Sequence, residues 1–166
     1  KSTDFISNDK IEELKIKNVY IPYVNINNFL VDIFKNIDYY HFNSILIKKI
    51  FHIKNDKSFF AYVDNNKLKV IIFNKDELIF FNSYYIKSET DIIYFLLLSI
   101  KEKDLEIKET QINFILDKKN DLLLEIADKF FDNFEIINNK KIDFIYSEWE
   151  LLVGKVVELG LTFPKI

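Results

Sequence analysis

The sequence predicts an α/β fold whose centre, residues 59 to 131, runs as three antiparallel strands, a helix, a strand and a second helix. Three observations predict it. Two short reversals, Asp64-Asn65-Asn66 and Asn74-Lys75-Asp76-Glu77, separate the apolar runs Phe59–Val63, Leu68–Phe73 and Leu78–Tyr85. Reversals this tight exclude the crossover of a dozen or more residues that a parallel return requires, so the three runs pair antiparallel. Ser88-Glu89-Thr90-Asp91 has the spacing of a capping box and opens a helix through about Lys101. The apolar pattern then alternates between strand and helix lengths, with Gln111–Leu116 a strand and Asn120 capping a helix that carries Leu122, Leu123, Ile126, Ala127, Phe130 and Phe131.

The remaining elements follow from the same signals. Asn18–Val24 reads as a short strand ending near Pro22, which cannot donate to a ladder and so sits at an edge or bulge. Ile26, Phe29, Leu30, Ile33 and Phe34 recur at helical spacing, with Asn25 placed to cap them. Asn36–Phe42 reads as a second strand, and Asn43 or Ser44 caps a short helix through Ile50. Val70-Ile71-Ile72-Phe73 has no polar face, so the middle strand of the meander is expected to be covered on both sides. Phe134–Ile137 is a further strand, Lys141–Tyr146 another, and Glu148–Leu159 a helix closed at Gly160. Gly154 and Gly160 are the only glycines, so turns before them fall to Asn and Asp, which tolerate left-handed backbone.

Composition limits the chemistry. A 166-residue chain that is 49% hydrophobic, with 17 Phe and 9 Tyr, can bury a core without metal or disulfide. With no cysteine there is no thiol nucleophile or disulfide, and two histidines, His41 and His52, cannot make a His-rich metal centre. No metal site and no cofactor are expected. Twenty-three basic against 26 acidic residues leave no cationic stripe, so nucleic-acid binding is not expected. The longest apolar run, Ile92–Leu98 with Ile100, is far too short for a membrane span, and the cytoplasm is the expected location.

No residues have the spacing of a catalytic set. Asp64 at a hairpin is first of all a turn former, and His41 between Tyr40 and Phe42 first of all a hydrogen-bonded structural histidine. Asn25, Asn27 and Asn28, after Pro22 and Tyr23, have the capping role as their simpler reading and ligand or partner contact as the functional one. Asn82, before Ser83, is read as a bulge that redirects the third strand, and Asn66 joins Asp64 in the first reversal. These nine residues are the candidates for ligand or partner contact.

The order β-β-β-α-β-α resembles the ribonuclease H-like fold, which occurs twice in actin-like and PilM-like ATPases. A narrower resemblance lies in Asn18–Asn28, Tyr40–Ser44 and Leu78–Ser83, which are similar to the Bacteroidetes family of unknown function DUF3822 over about residues 3 to 137. The resemblance implies a ribonuclease H-like β-β-β-α-β-α unit preceded by α/β elements from the end of a first actin-like half. Residues 1–55 would be the C-terminal part of that first subdomain, 56–140 the second subdomain, and 141–166 a strand and helix extension. The chain would then be a fragment, with the first half's meander before Lys1. In actin-like ATPases a hairpin with an Asp, a Gly and a small hydroxyl residue cradles phosphate. Asp64 stands in that place here, but Asn66 replaces the glycine whose missing Cβ permits close backbone approach. The expectation is a non-catalytic actin-like protein that acts by binding a protein partner or itself. The alternative is a nucleotide-binding actin-like protein (ATP) whose phosphate loops lie partly outside these residues.

Overall fold

The computed structural model describes residues 6–34, 40–55 and 57–138. The chain divides into two compact units, Lys1–Lys54 and Asn55–Ile166.

The first unit holds an antiparallel hairpin, β1 (Ser7–Ile11) and β2 (Ile16–Tyr20), followed by α1 (Val24–Phe34) and α2 (Phe42–Ile53). A 3-10 turn over Glu12–Leu14 reverses the hairpin, and Lys15 closes it in the left-handed region at φ 55°. This corrects the strand-helix-strand-helix reading of the N-terminal fifty residues. β1 was not expected, because Ser7-Asn8-Asp9-Lys10 is polar and poor in strand-forming side chains; pairing in register with β2 makes it a strand. Asn25 lies inside the first turn of α1 and not ahead of it, because the helix already begins at Val24, two residues after Pro22. His41 takes the capping position expected of Asn43 or Ser44, and Phe42, the end of the expected strand, is the first residue of α2. Tyr40 and His41 belong to no strand, and residues 36–39 of that expectation lie outside the described residues.

The second unit runs β3 (Lys57–Asp64), β4 (Lys67–Asn74), β5 (Glu77–Tyr85), α3 (Glu89–Glu102), β6 (Ile112–Leu116), α4 (Asp121–Ala127) and β7 (Phe134–Asn138). The sheet order is β5-β4-β3-β6-β7. β3, β4 and β5 pair antiparallel across the two tight reversals, and β6 and β7 extend the sheet in parallel with β3. Asn65 and Lys75 carry the left-handed backbone of the reversals, at φ 49° and 52°. One face of the sheet, through Phe59, Ala61, Val70, Ile72, Ile112 and Phe114, joins Ile92, Leu96 and Ile100 of α3 and Leu123 and Ala127 of α4 in a single core. The capping box is present as expected, with Ser88 accepting from the Asp91 amide and Asp91 from the Ser88 amide. Val70, Ile71, Ile72 and Phe73 are all buried, so β4 is covered on both faces.

The fold class needs correction. The sheet is open, neither closed nor curled on itself, and it is only one of two units, the other being built on the hairpin of β1 and β2. The strand at Lys141–Tyr146 and the helix at Glu148–Leu159 fall outside the described residues. Among the described residues no helix is long and apolar enough to cross a membrane.

Candidate functional site

Residues directly opposite one another on paired strands project to the same face, and so do residues two apart on one strand. Applied to the second unit, this places two polar rows side by side at the carboxyl end of β3. Tyr62, Lys69 and Ser83 form one row, and Asp64, Lys67 and Tyr85 the other. The apolar row Phe60, Ile71 and Phe81 lies behind them on the same face. This is the face opposite to the one that packs on α3 and α4, because Phe59, Ala61, Val70 and Ile72 alternate with these residues. In open α/β sheets ligands are commonly received at the carboxyl ends of strands.

The electrostatics of the rows are specific. Lys69 is half-buried, and burial together with the neighbouring Lys67 cation holds its ammonium below the ordinary lysine value, with Asp64 pulling the other way. Lys67 lies over the Tyr85 ring at 5.5 Å, and Asn65 donates to Asp64 Oδ1 at 3.0 Å. Two cations and hydroxyl-bearing side chains beside one carboxylate suit an anion with several oxygens.

The helix starts next to this edge are already occupied. α3 is closed by its own capping box, and Asn120 Oδ1 accepts from the Leu123 amide at the start of α4. Asn120 Nδ2 also donates to Glu89 at 3.0 Å, a bond that leads the causes holding the Glu89 carboxyl below its usual range.

The nine residues singled out in the sequence are divided between the units. Asp64 and Asn66 sit at the β3–β4 reversal, where the Asn66 carbonyl accepts from the Ile86 amide at 2.9 Å. Asn82 pairs with Val70 and so faces the helical side, away from Asp64; its Nδ2 donates to the Tyr84 hydroxyl. Pro22 and Tyr23 precede α1, with Tyr23 82% exposed, while Asn25, Asn27 and Asn28 lie within that helix. His41 is the one that enters a built polar cluster. Its amide donates to Asp9 Oδ2 at 2.7 Å, Ser44 Oγ donates to the same oxygen at 2.6 Å, and the Tyr20 hydroxyl donates to Oδ1 at 2.9 Å. Asn18 Nδ2 donates to Ser44 Oγ at 2.9 Å. Asp9 is thus a buried carboxylate whose three donors come from β2, from the N-cap of α2 and from its first turn. Beside it a concavity of about 820 Å³ runs along Ser7–Glu12 and Tyr40, Ser44, Ile45, Lys48, Lys49 and His52.

Sequence reasoning missed Asp9, Tyr20 and Ser44, and it missed Lys67 and Lys69. The lysines had a signal, since Lys67-Leu68-Lys69-Val70 alternates charge with apolar residues entering an otherwise apolar strand. Asp9 had none, its partners being 11 to 35 residues away. Among the described residues no group of three or more acidic, His or Cys side chains could hold a metal ion.

Residues 1–134 match the family model described as "Protein of unknown function (DUF3822)". The chain belongs to the DUF3822 family. Among curated proteins none matches this DUF3822 chain. A solved structure from Bacteroides thetaiotaomicron VPI-5482, described as a protein with actin-like ATPase fold and unknown function, is similar to it with a TM-score of 0.76 at 16% identity. The likeness covers 89% of this DUF3822 chain and 60% of the Bacteroides protein, so the chain spans less than two thirds of that neighbour. The fold therefore resembles that of an actin-like ATPase. This replaces the ribonuclease H-like fold class, because a likeness over 89% of the chain takes in more than the β-β-β-α-β-α region.

Proposed function

We propose that this DUF3822 protein binds a nucleotide such as ATP, with the carboxyl ends of β3 and β5 and the amino end of β4 between them as one phosphate-facing wall and further contacts from outside the described residues. The observation that carries this reading is the alignment of Lys67 and Lys69 on one sheet face beside Asp64. Burial and the Lys67 cation both disfavour the charged form of Lys69, and a polyanion set beside the two ammonium groups favours it. The actin-like ATPase fold of the Bacteroides protein supports the choice of ligand class. Asn66 in place of a glycine keeps backbone from closing on a phosphate, so in this reading side-chain cations take over the task of backbone amides. The test is calorimetric titration of the whole protein with ATP and Mg²⁺. Saturable binding, weakened about tenfold or more by Lys69→Ala, is expected; no heat at millimolar nucleotide refutes the proposal.

A second reading is supported by a different observation. Ile6, Val19 and Ile21 are each more than 60% exposed in the first unit, and Tyr23 more so. Such a group suits a protein partner or a second copy of the chain, and a role without catalysis. Sedimentation of the wild type against Val19→Asp tests it: a complex or dimer that the substitution disperses supports it, and a monomer at every concentration with no partner removes it.

A further inference from the structure

We propose that α2 is seated on the β1–β2 hairpin through a proton-sensitive cap at His41, so that acidification through the histidine's titration releases the start of the helix. The Asn43 amide donates to His41 Nδ1 at 3.1 Å. An imidazole nitrogen accepts only when it carries no proton, so this cap exists in the tautomer with the proton on Nε2. Serine, threonine, aspartate and asparagine, the usual residues at this position, accept at any pH above the carboxylate range. Here the ordinary candidates, Asn43 and Ser44, stand two and three residues too late, and Ser44 is committed to Asp9.

The surroundings turn that chemistry into a switch. His41 is tied at its backbone to Asp9 Oδ2, and its ring lies 4.8 Å from that of Tyr20. Among the described residues Asp9 from β1 and Tyr20 from β2 are titratable groups in contact with it, and Lys48 and Lys49 follow along α2 itself. A proton on Nδ1 sets two donors against each other at the Asn43 amide and removes one partner from the first turn of α2. The same proton creates a cation beside the buried Asp9 carboxylate, which draws the ring away from its capping position. Ser44, whose hydroxyl binds that carboxylate from the first turn of α2, is the next group to feel the change.

The experiment is amide exchange of Asn43, expressed as a protection factor at each pH, over about pH 5 to 8, where histidine titrates. The ring resonances of His41 are followed on the same samples. The wild type is expected to lose about fivefold in Asn43 protection, the worth of one N-cap, as the His41 ring takes up its proton. His41→Asn, which caps at every pH, is expected to hold its protection constant, and His52→Gln to behave as wild type. A flat Asn43 protection while the ring titrates overturns the proposal. So does a ring that stays neutral across the range, or a pH dependence that survives in His41→Asn.

Discussion

The first unit is organised around a charge and the second around an apolar layer, and the contrast explains how each responds to damage. In the hairpin unit one buried carboxylate, Asp9, gathers donors from β2 and from both sides of the start of α2. In the sheet unit Leu96, Ile100, Phe114 and Leu123 are fully buried members of one continuous cluster. A polar hub is specific and brittle, since each donor left without its acceptor pays its whole desolvation penalty. An apolar layer is tolerant of exchange but sensitive to lost volume.

The largest effect is expected in the apolar layer. Leu96→Ala empties a completely enclosed position on α3 and is expected to destabilise the second unit by about 2–5 kcal/mol, read by denaturant unfolding. Asp9→Ala comes next, leaving the Tyr20, His41 and Ser44 donors without their acceptor. Of these donors Ser44 lines the concavity beside Asp9, and we expect a loss of about 1–3 kcal/mol, read by amide exchange in β1, β2 and α2. A loss as large as that of Leu96→Ala would erase the contrast.

The smallest effect is a gain. The Lys69 ammonium lies below its ordinary value in the folded protein, so the unfolded chain holds more protons between the two values and stability rises with pH across that window. Lys69→Met is expected to abolish this rise and to stabilise the protein at neutral pH by no more than about 1 kcal/mol, while weakening nucleotide binding. Lower stability of this variant at neutral pH would mean that Lys69 is a structural anchor.

The same contrast sets what the sequence made legible. β3 to β5 are joined by reversals of a few residues, and α3 announces itself by the Ser88–Asp91 box, so local rules suffice there. The N-terminal unit gave no such handle. Ser7–Lys10 becomes a strand only through its partner, and His41 becomes a cap only because the helix begins at Phe42. Of the candidate site, Asp64 was visible as a turn residue, but its alignment with Lys67, Lys69 and Tyr85 depends on register across three strands. Asn82 shows the converse error: read as a bulge, it pairs regularly with Val70, and the register shift between β4 and β5 lies between Ile72 and Phe73.

The most direct test of the phosphate-facing wall is amide chemical-shift mapping of the whole protein as ATP and Mg²⁺ are added. Shifts are expected to concentrate at Tyr62–Lys69 and Ser83–Tyr85, with little change where Ile112 and Asn113 begin β6 at the far end of the sheet. Shifts absent from these segments, or confined to residues elsewhere while nucleotide binds, would contradict the phosphate-facing wall.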